Sequence, residues 1–215
     1  MSKNLKYRTY TSLILLSLVI LIFNFNLILV YSLIILGVLS ILEFLEIIKK
    51  IPNLKYGKIF FNFLFVLYIF LFCLAFFLFS NLHGFKIIIY ILLLGCIASD
   101  IGGYVFGKVF KGPKLTKISP NKTYSGALGS IIFSKTIVSV LLFYFIENFS
   151  FTVLIIGIVT SIFCQIGDLL FSYLKRQAKI KDTGNFLPGH GGVLDRLDGI
   201  FLGIPFGFLS LIILY

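Results

Sequence analysis

Residues 59–80 read IFFNFLFVLYIFLFCLAFFLFS, twenty-two positions without a single charge. A helix rises about 1.5 Å per residue, so such a run covers the roughly 30 Å of a bilayer's hydrocarbon core. The run is continuous rather than alternating, which gives no support to a membrane β-barrel. Its many phenylalanines read as lipid-facing packing rather than a cofactor box.

Comparable runs recur on both sides of it. Spans are expected near 9–24, 27–48, 59–80, 86–107, 125–146, 151–174 and 199–215. The first is short, with a soft boundary at Asn24-Phe25-Asn26, so the first two spans should form a tight hairpin or a partly re-entrant pair. Composition agrees: 59% of the 215 residues are hydrophobic and 13% charged, about half the charge of a soluble domain, and mean hydropathy is +1.08. The fold class is all-α, a polytopic helical bundle of seven spans. Residues 1–85 are expected to form an N-terminal hairpin and third helix, and 86–215 a transmembrane domain with two cytoplasmic loops that carries the candidate site. The basic N-terminus before the first apolar run lacks a small-residue cleavage site and reads as a retained helix.

A formal charge of +11 could suggest nucleic acid, but the cations occupy short loops between apolar runs. Alternating seven spans from a cytoplasmic N-terminus puts 17 of the 19 lysines and arginines on one side, the positive-inside pattern; Lys86 and Lys135 are the exceptions. The C-terminus then lies outside. Cys73, Cys96 and Cys164 fall in apolar stretches at no metal-binding spacing and read as small buried hydrophobes.

Against this background the acidic residues stand out. Of five aspartates, Asp168, Asp182, Asp195 and Asp198 fall within about thirty residues. Ionisable groups at membrane depth are costly and mark function by default. Gln165, Asp168, Ser172 and Lys175 share one helical face; the structural alternative is an interhelical hydrogen-bond seam with Lys175 snorkelling. Asp195 and Asp198 stand three apart where the last helix begins, and helix capping is their structural alternative. Glycines 191 and 192 let main-chain amides approach an anion. Two such carboxylates with Asp168 would hold a Mg²⁺ that keeps waters and takes phosphate oxygens. Two of only three arginines, Arg176 and Arg196, lie here, which suits bidentate phosphate recognition. Asp100 lies at similar depth near a second basic loop carrying Ser119, Lys122 and Thr123. His83, Glu43, Glu46 and Glu147, at span ends or turns, read as incidental.

The pattern Ser172-x-x-Lys175-Arg176-x4-Lys181-Asp182-x-Gly184-x3-Pro188-Gly-His190-Gly-Gly-x-x-Asp195-Arg196-x-Asp198 resembles the signature of the phosphatidate cytidylyltransferase (CDP-diacylglycerol synthase) family. Gln165-x-Gly167-Asp168, Asp100-x3-Tyr104-x-x-Gly107 and Ser119-Pro120-x-Lys122-Thr123-x-x-Gly126 resemble its other blocks, so the likeness covers roughly 95–200. Tyr124-Ser125 replaces the usual Trp-Glu, Asn121 a frequent lysine and Gly199 a common serine. The N-terminal part is shorter than in larger members. The resemblance implies an Mg²⁺-dependent enzyme making CDP-diacylglycerol and pyrophosphate from CTP and phosphatidic acid, in the inner membrane with its site facing the cytoplasm. It leaves an accompanying monovalent cation open and carries a homodimer as a family expectation.

The implied roles follow. Asp168 and Asp195 hold the metal, with Asp198 a third ligand or its support. Lys175, Arg176 and Lys181 neutralise the triphosphate, and His190 with the glycine turn positions it. Asp182, Gly191, Gly192 and Arg196 join the nucleotide side, while Asp100, Ser119, Lys122 and Thr123 line the opposite wall. The alternatives are a CTP-dependent polyprenol or phytol kinase, and an ion-coupled transporter. The transporter predicts inverted repeats, which the sequence does not display.

Overall fold

The computed structural model describes residues 3–52, 57–146, 151–184, 186 and 191–214. Among them are seven helices: α1 (Lys3–Asn24), α2 (Asn26–Lys50), α3 (Lys58–Ser80), α4 (His83–Phe110), α5 (Tyr124–Ile146), α6 (Phe151–Gln177) and α7 (Leu194–Leu214). All-α architecture is thus as expected. Six of them, α2 to α7, are long and apolar enough to cross a membrane, and the shorter apolar stretch Leu13–Asn24 belongs to α1. The chain is a membrane protein.

Helix boundaries follow local chemistry. A single extended residue, Phe25 (φ −122°, ψ 107°), separates α1 from α2. Thr123 caps α5, its Oγ1 accepting the Gly126 amide at 3.1 Å, which satisfies one of the donors every helix start leaves open. At the end of α6, the Ile180 amide donates to the Lys175 carbonyl and the Lys179 amide to the Arg176 carbonyl. This paired closure needs a left-handed residue, and Lys179 supplies it at φ 56°. The last helix begins five residues before the apolar run does. Asp195 and Asp198 extend it because each gains at the positive end of the helix dipole.

The chain forms two compact units, one of residues 1–81 with 174–197 and the other of 82–173 with 198–215. In the first, α2 packs on α1 and α3, and the Phe44 and Phe65 rings stack at 3.8 Å. Outward faces stay apolar: Ile59 is 84% exposed, as a lipid-facing residue should be. In the second, α4 lies along α5 at backbone contact. A Cβ on Gly102 would stand 2.5 Å from the Gly129 carbonyl oxygen, and one on Gly129 2.7 Å from that of Gly102. Small residues permit this approach where lipid supplies no hydrophobic drive. Buried hydroxyls tie the bundle together, Ser99 to Ser161 at 2.9 Å and Ser134 to the Gly157 carbonyl at 3.2 Å.

Candidate functional site

The signature segment after α6 is organised by carboxylates of the first unit. Lys175 donates to Asp195 Oδ1 at 2.6 Å, and both side chains are about nine-tenths buried, at 11% and 10% exposure. The other oxygen of Asp195 accepts three hydrogen bonds: from the Thr183 amide at 2.8 Å, the Thr183 hydroxyl at 3.1 Å and the Gly192 amide at 3.1 Å. Asp195, expected as a metal ligand, therefore has both oxygens engaged by the protein. A buried ion pair persists when its remaining lone pairs are satisfied in this way.

The residue that sequence reading passed over is Glu43. It lies on α2, is 2% exposed, and accepts three hydrogen bonds from the same segment. The Thr183 hydroxyl donates at 2.6 Å, and the Val193 and Leu194 amides at 2.9 Å each. Its reading as incidental is corrected by these contacts. A carboxylate this deeply buried needs such donors to offset the loss of water. The glycines fit around it. A Cβ on Gly184 would stand 2.7 Å from Glu43 Oε1, and one on Gly192 would run into Thr183 Oγ1 and Glu43 Oε2. Close approach at Gly192 thus serves the protein's own carboxylate. Gly191 has φ +84°, a backbone that favours glycine, and faces Asp182 and Asp195 Oδ2.

The second unit assembles a different pair. Lys122, from the loop before α5, forms an ion pair with Asp168 on α6; their side chains are 25% and 31% exposed. Ser172 donates to Asp168 Oδ1 at 3.3 Å, so the expected polar face of α6 is real at these positions. Gln165 instead bonds the Ala127 carbonyl and Ser161, the seam role. Asp198 is 9% exposed and accepts its neighbour Gly199's amide at 2.8 Å. A Cβ on Gly167, next to Asp168, would collide with the Asp198 carbonyl oxygen, so α6 and α7 touch backbone to backbone beside both aspartates.

The remaining expected residues are placed as follows. Asp100 is exposed and takes a weak contact from Cys164 Sγ at 3.9 Å. Thr123 has its capping role, and the Ser119 amide bonds Thr116 Oγ1 at 3.2 Å, folding the loop into a tight turn with one antiparallel bridge, Lys114 to Thr123. Arg176, Lys181, Asp182 and Arg196 are exposed. His190 and Glu147 lie outside the described residues. Among the described residues, no group of three His, Cys, Asp or Glu side chains stands ready to hold a metal. Mg²⁺ takes one or two carboxylates and completes its shell with waters and phosphate oxygens. Asp168, part-exposed on α6 and beside the α7 contact that carries Asp198, fits that need.

This all-helical membrane chain pairs carboxylates with lysines in two places, and its family follows from its relatives. The sequence pattern of the Cytidylyltransferase family matches residues 2–214, and the chain belongs to that family. Among its relatives is the phosphatidate cytidylyltransferase of Rickettsia bellii (strain RML369-C), 40% identical over 144 residues, covering 63% of this chain and 62% of that protein. That of Staphylococcus haemolyticus (strain JCSC1435) is 43% identical over 109 residues, 50% of this chain and 42% of the relative. That of Mycobacterium leprae (strain TN) is 38% identical over 113 residues, 52% and 36% respectively. Over these matches the chain spans between about a third and three fifths of its relatives' length.

Proposed function

We propose that the chain is a nucleotidyltransferase of phospholipid biosynthesis, a phosphatidate cytidylyltransferase that converts CTP and phosphatidic acid to CDP-diacylglycerol and pyrophosphate. The observation that carries the proposal is the buried Lys175–Asp195–Thr183 network inside a family-matched chain whose relatives bear that enzyme's name. The positive-inside count supports a site facing the cytoplasm of the cell's inner membrane, where CTP is available. Dimerisation is part of the proposal as a family expectation only.

The lipid phosphate is already anionic, so its oxygen attacks the α-phosphorus of CTP in line without a protein base, and pyrophosphate leaves. Lys175, fixed by Asp195, presents an ammonium that does not need reorganising as charge moves. Arg176, Lys181 and Arg196 are exposed on the same segment and supply cations for the triphosphate, where a guanidinium grips phosphate with two parallel bonds. Asp168 and Asp198 are the carboxylates proposed to hold Mg²⁺. When bound, Mg²⁺ neutralises phosphate charge and orients attacker and leaving group. Lys122, the partner of Asp168 in the structure, would be a further cation for an incoming phosphate on that side.

The test is a double-label assay on purified protein in phosphatidic acid micelles, with and without Mg²⁺. The expected result is Mg²⁺-dependent movement of cytidine label into the lipid phase while γ-phosphate label stays in water. Transfer of γ-phosphate to lipid would instead make the chain a lipid kinase and end the proposal.

A further inference from the structure

We propose that Glu43 is a positioning residue for the reaction, acting through the segment between α6 and α7 rather than on substrate. The inference rests on the cytidylyl-transfer reading, and extends it to a residue on a helix remote in sequence. Three observations carry it. Among the described residues, the three hydrogen bonds that Glu43 accepts come from one segment, 140 to 151 residues further along the chain. That segment then contacts the charged pair directly, because the single hydroxyl proton of Thr183 is shared between Glu43 at 2.6 Å and Asp195 at 3.1 Å, and its amide donates to Asp195 at 2.8 Å. Asp195 in turn holds Lys175.

The start of α7 explains why an outside carboxylate is needed. Val193 occupies the capping position and has no side-chain oxygen to offer the amides at the start of the helix. Glu43 accepts two of them, from Val193 and Leu194, and its charge meets the positive end of the helix dipole. The first turn of α7, which carries Asp195 and Arg196, is therefore oriented by α2. Gly184 and Gly192 leave the space Glu43 fills. A chain of donors and acceptors from Glu43 through Thr183 and Asp195 to Lys175 holds the ammonium in one place.

Glu43→Gln keeps the shape, but replaces one acceptor oxygen with an NH₂ that faces N–H and O–H donors. The expected result in the intact protein is a fall in kcat of about tenfold or more, the scale seen when a supporting partner of an active group is lost. KM for phosphatidic acid stays within about twofold, because the variant removes orientation and no lipid contact. Thr183→Val should reproduce the fall, and Thr183→Ser, which keeps the hydroxyl, should restore most of the activity. A kcat for Glu43→Gln within about twofold of wild type would overturn the proposal, as would equal activity of Thr183→Val and Thr183→Ser. Hydrogen–deuterium exchange provides the readout that separates this inference from the functional reading. Peptides covering residues 191–195 should exchange at least about tenfold faster in Glu43→Gln, with those from α5 unchanged. Unchanged exchange at 191–195 refutes the positioning role even if the wild type transfers cytidylyl. Faster exchange with no transfer by the wild type refutes the reaction and leaves the anchor standing. If Glu43→Gln does not accumulate, the Thr183 pair decides the question.

Discussion

The Lys175–Asp195 pair and the Lys122–Asp168 pair join the same two residue types in opposite circumstances. The first is about nine-tenths buried and its carboxylate accepts three further hydrogen bonds. The second is between a quarter and a third exposed and has one hydroxyl in support. A buried, fully satisfied pair is fixed architecture, because removing either partner strands a charge away from water. An exposed pair exchanges partners readily, because water and salt replace what is lost. The difference separates the two carboxylates that the sequence presents as equals. Asp195 holds a cation in place, and Asp168 is the one whose partner can leave.

Unfolding of single variants in detergent is the strongest way to break this contrast. Lys175→Ala should cost about 3 kcal/mol, the penalty for leaving a buried carboxylate unpaired. Lys122→Ala should cost under about 1 kcal/mol, as exposed pairs do. Equal losses would remove the distinction. A smaller effect sharpens it at the end of α6, where the buried lysine's helix closes through Lys179 in a left-handed conformation. Lys179→Gly relieves that strain and should stabilise the protein by about 0.5 kcal/mol, read as a raised unfolding midpoint without change in activity.

The helices were legible because hydropathy is a local property: the run 59–80 and helix α3 (Lys58–Ser80) agree to one residue. The spacing of Asp168 and Ser172 was equally readable, since an i, i+4 pair on one helix must meet, and it does. The Lys122–Asp168 pairing was not legible: the sequence reading set Lys122 on the wall opposite Asp168, whereas the loop before α5 brings the two into an ion pair. Glu43 was missed because its partners lie across the chain. A signal existed all the same. It stands seven residues before the end of α2 at Lys50, a depth like that which drew attention to Asp100 and Asp168, and a carboxylate that deep in an apolar span is suspect on cost alone. The glycines misled in the opposite direction. Glycine spacing announces a close approach without saying to what, and at Gly192 the neighbour is Glu43.

The account turns on Asp168 as the carboxylate freed to serve the reaction. Membranes containing the wild type or Asp168→Asn, supplied with CTP, phosphatidic acid and Mg²⁺, test this through the pyrophosphate they release. The wild type should release one pyrophosphate per CDP-lipid formed. Asp168→Asn, inserted at equal level, should fall by about a hundredfold or more, the scale of losing one charge stabiliser in an active site. Near-normal, Mg²⁺-dependent pyrophosphate release by Asp168→Asn would contradict it.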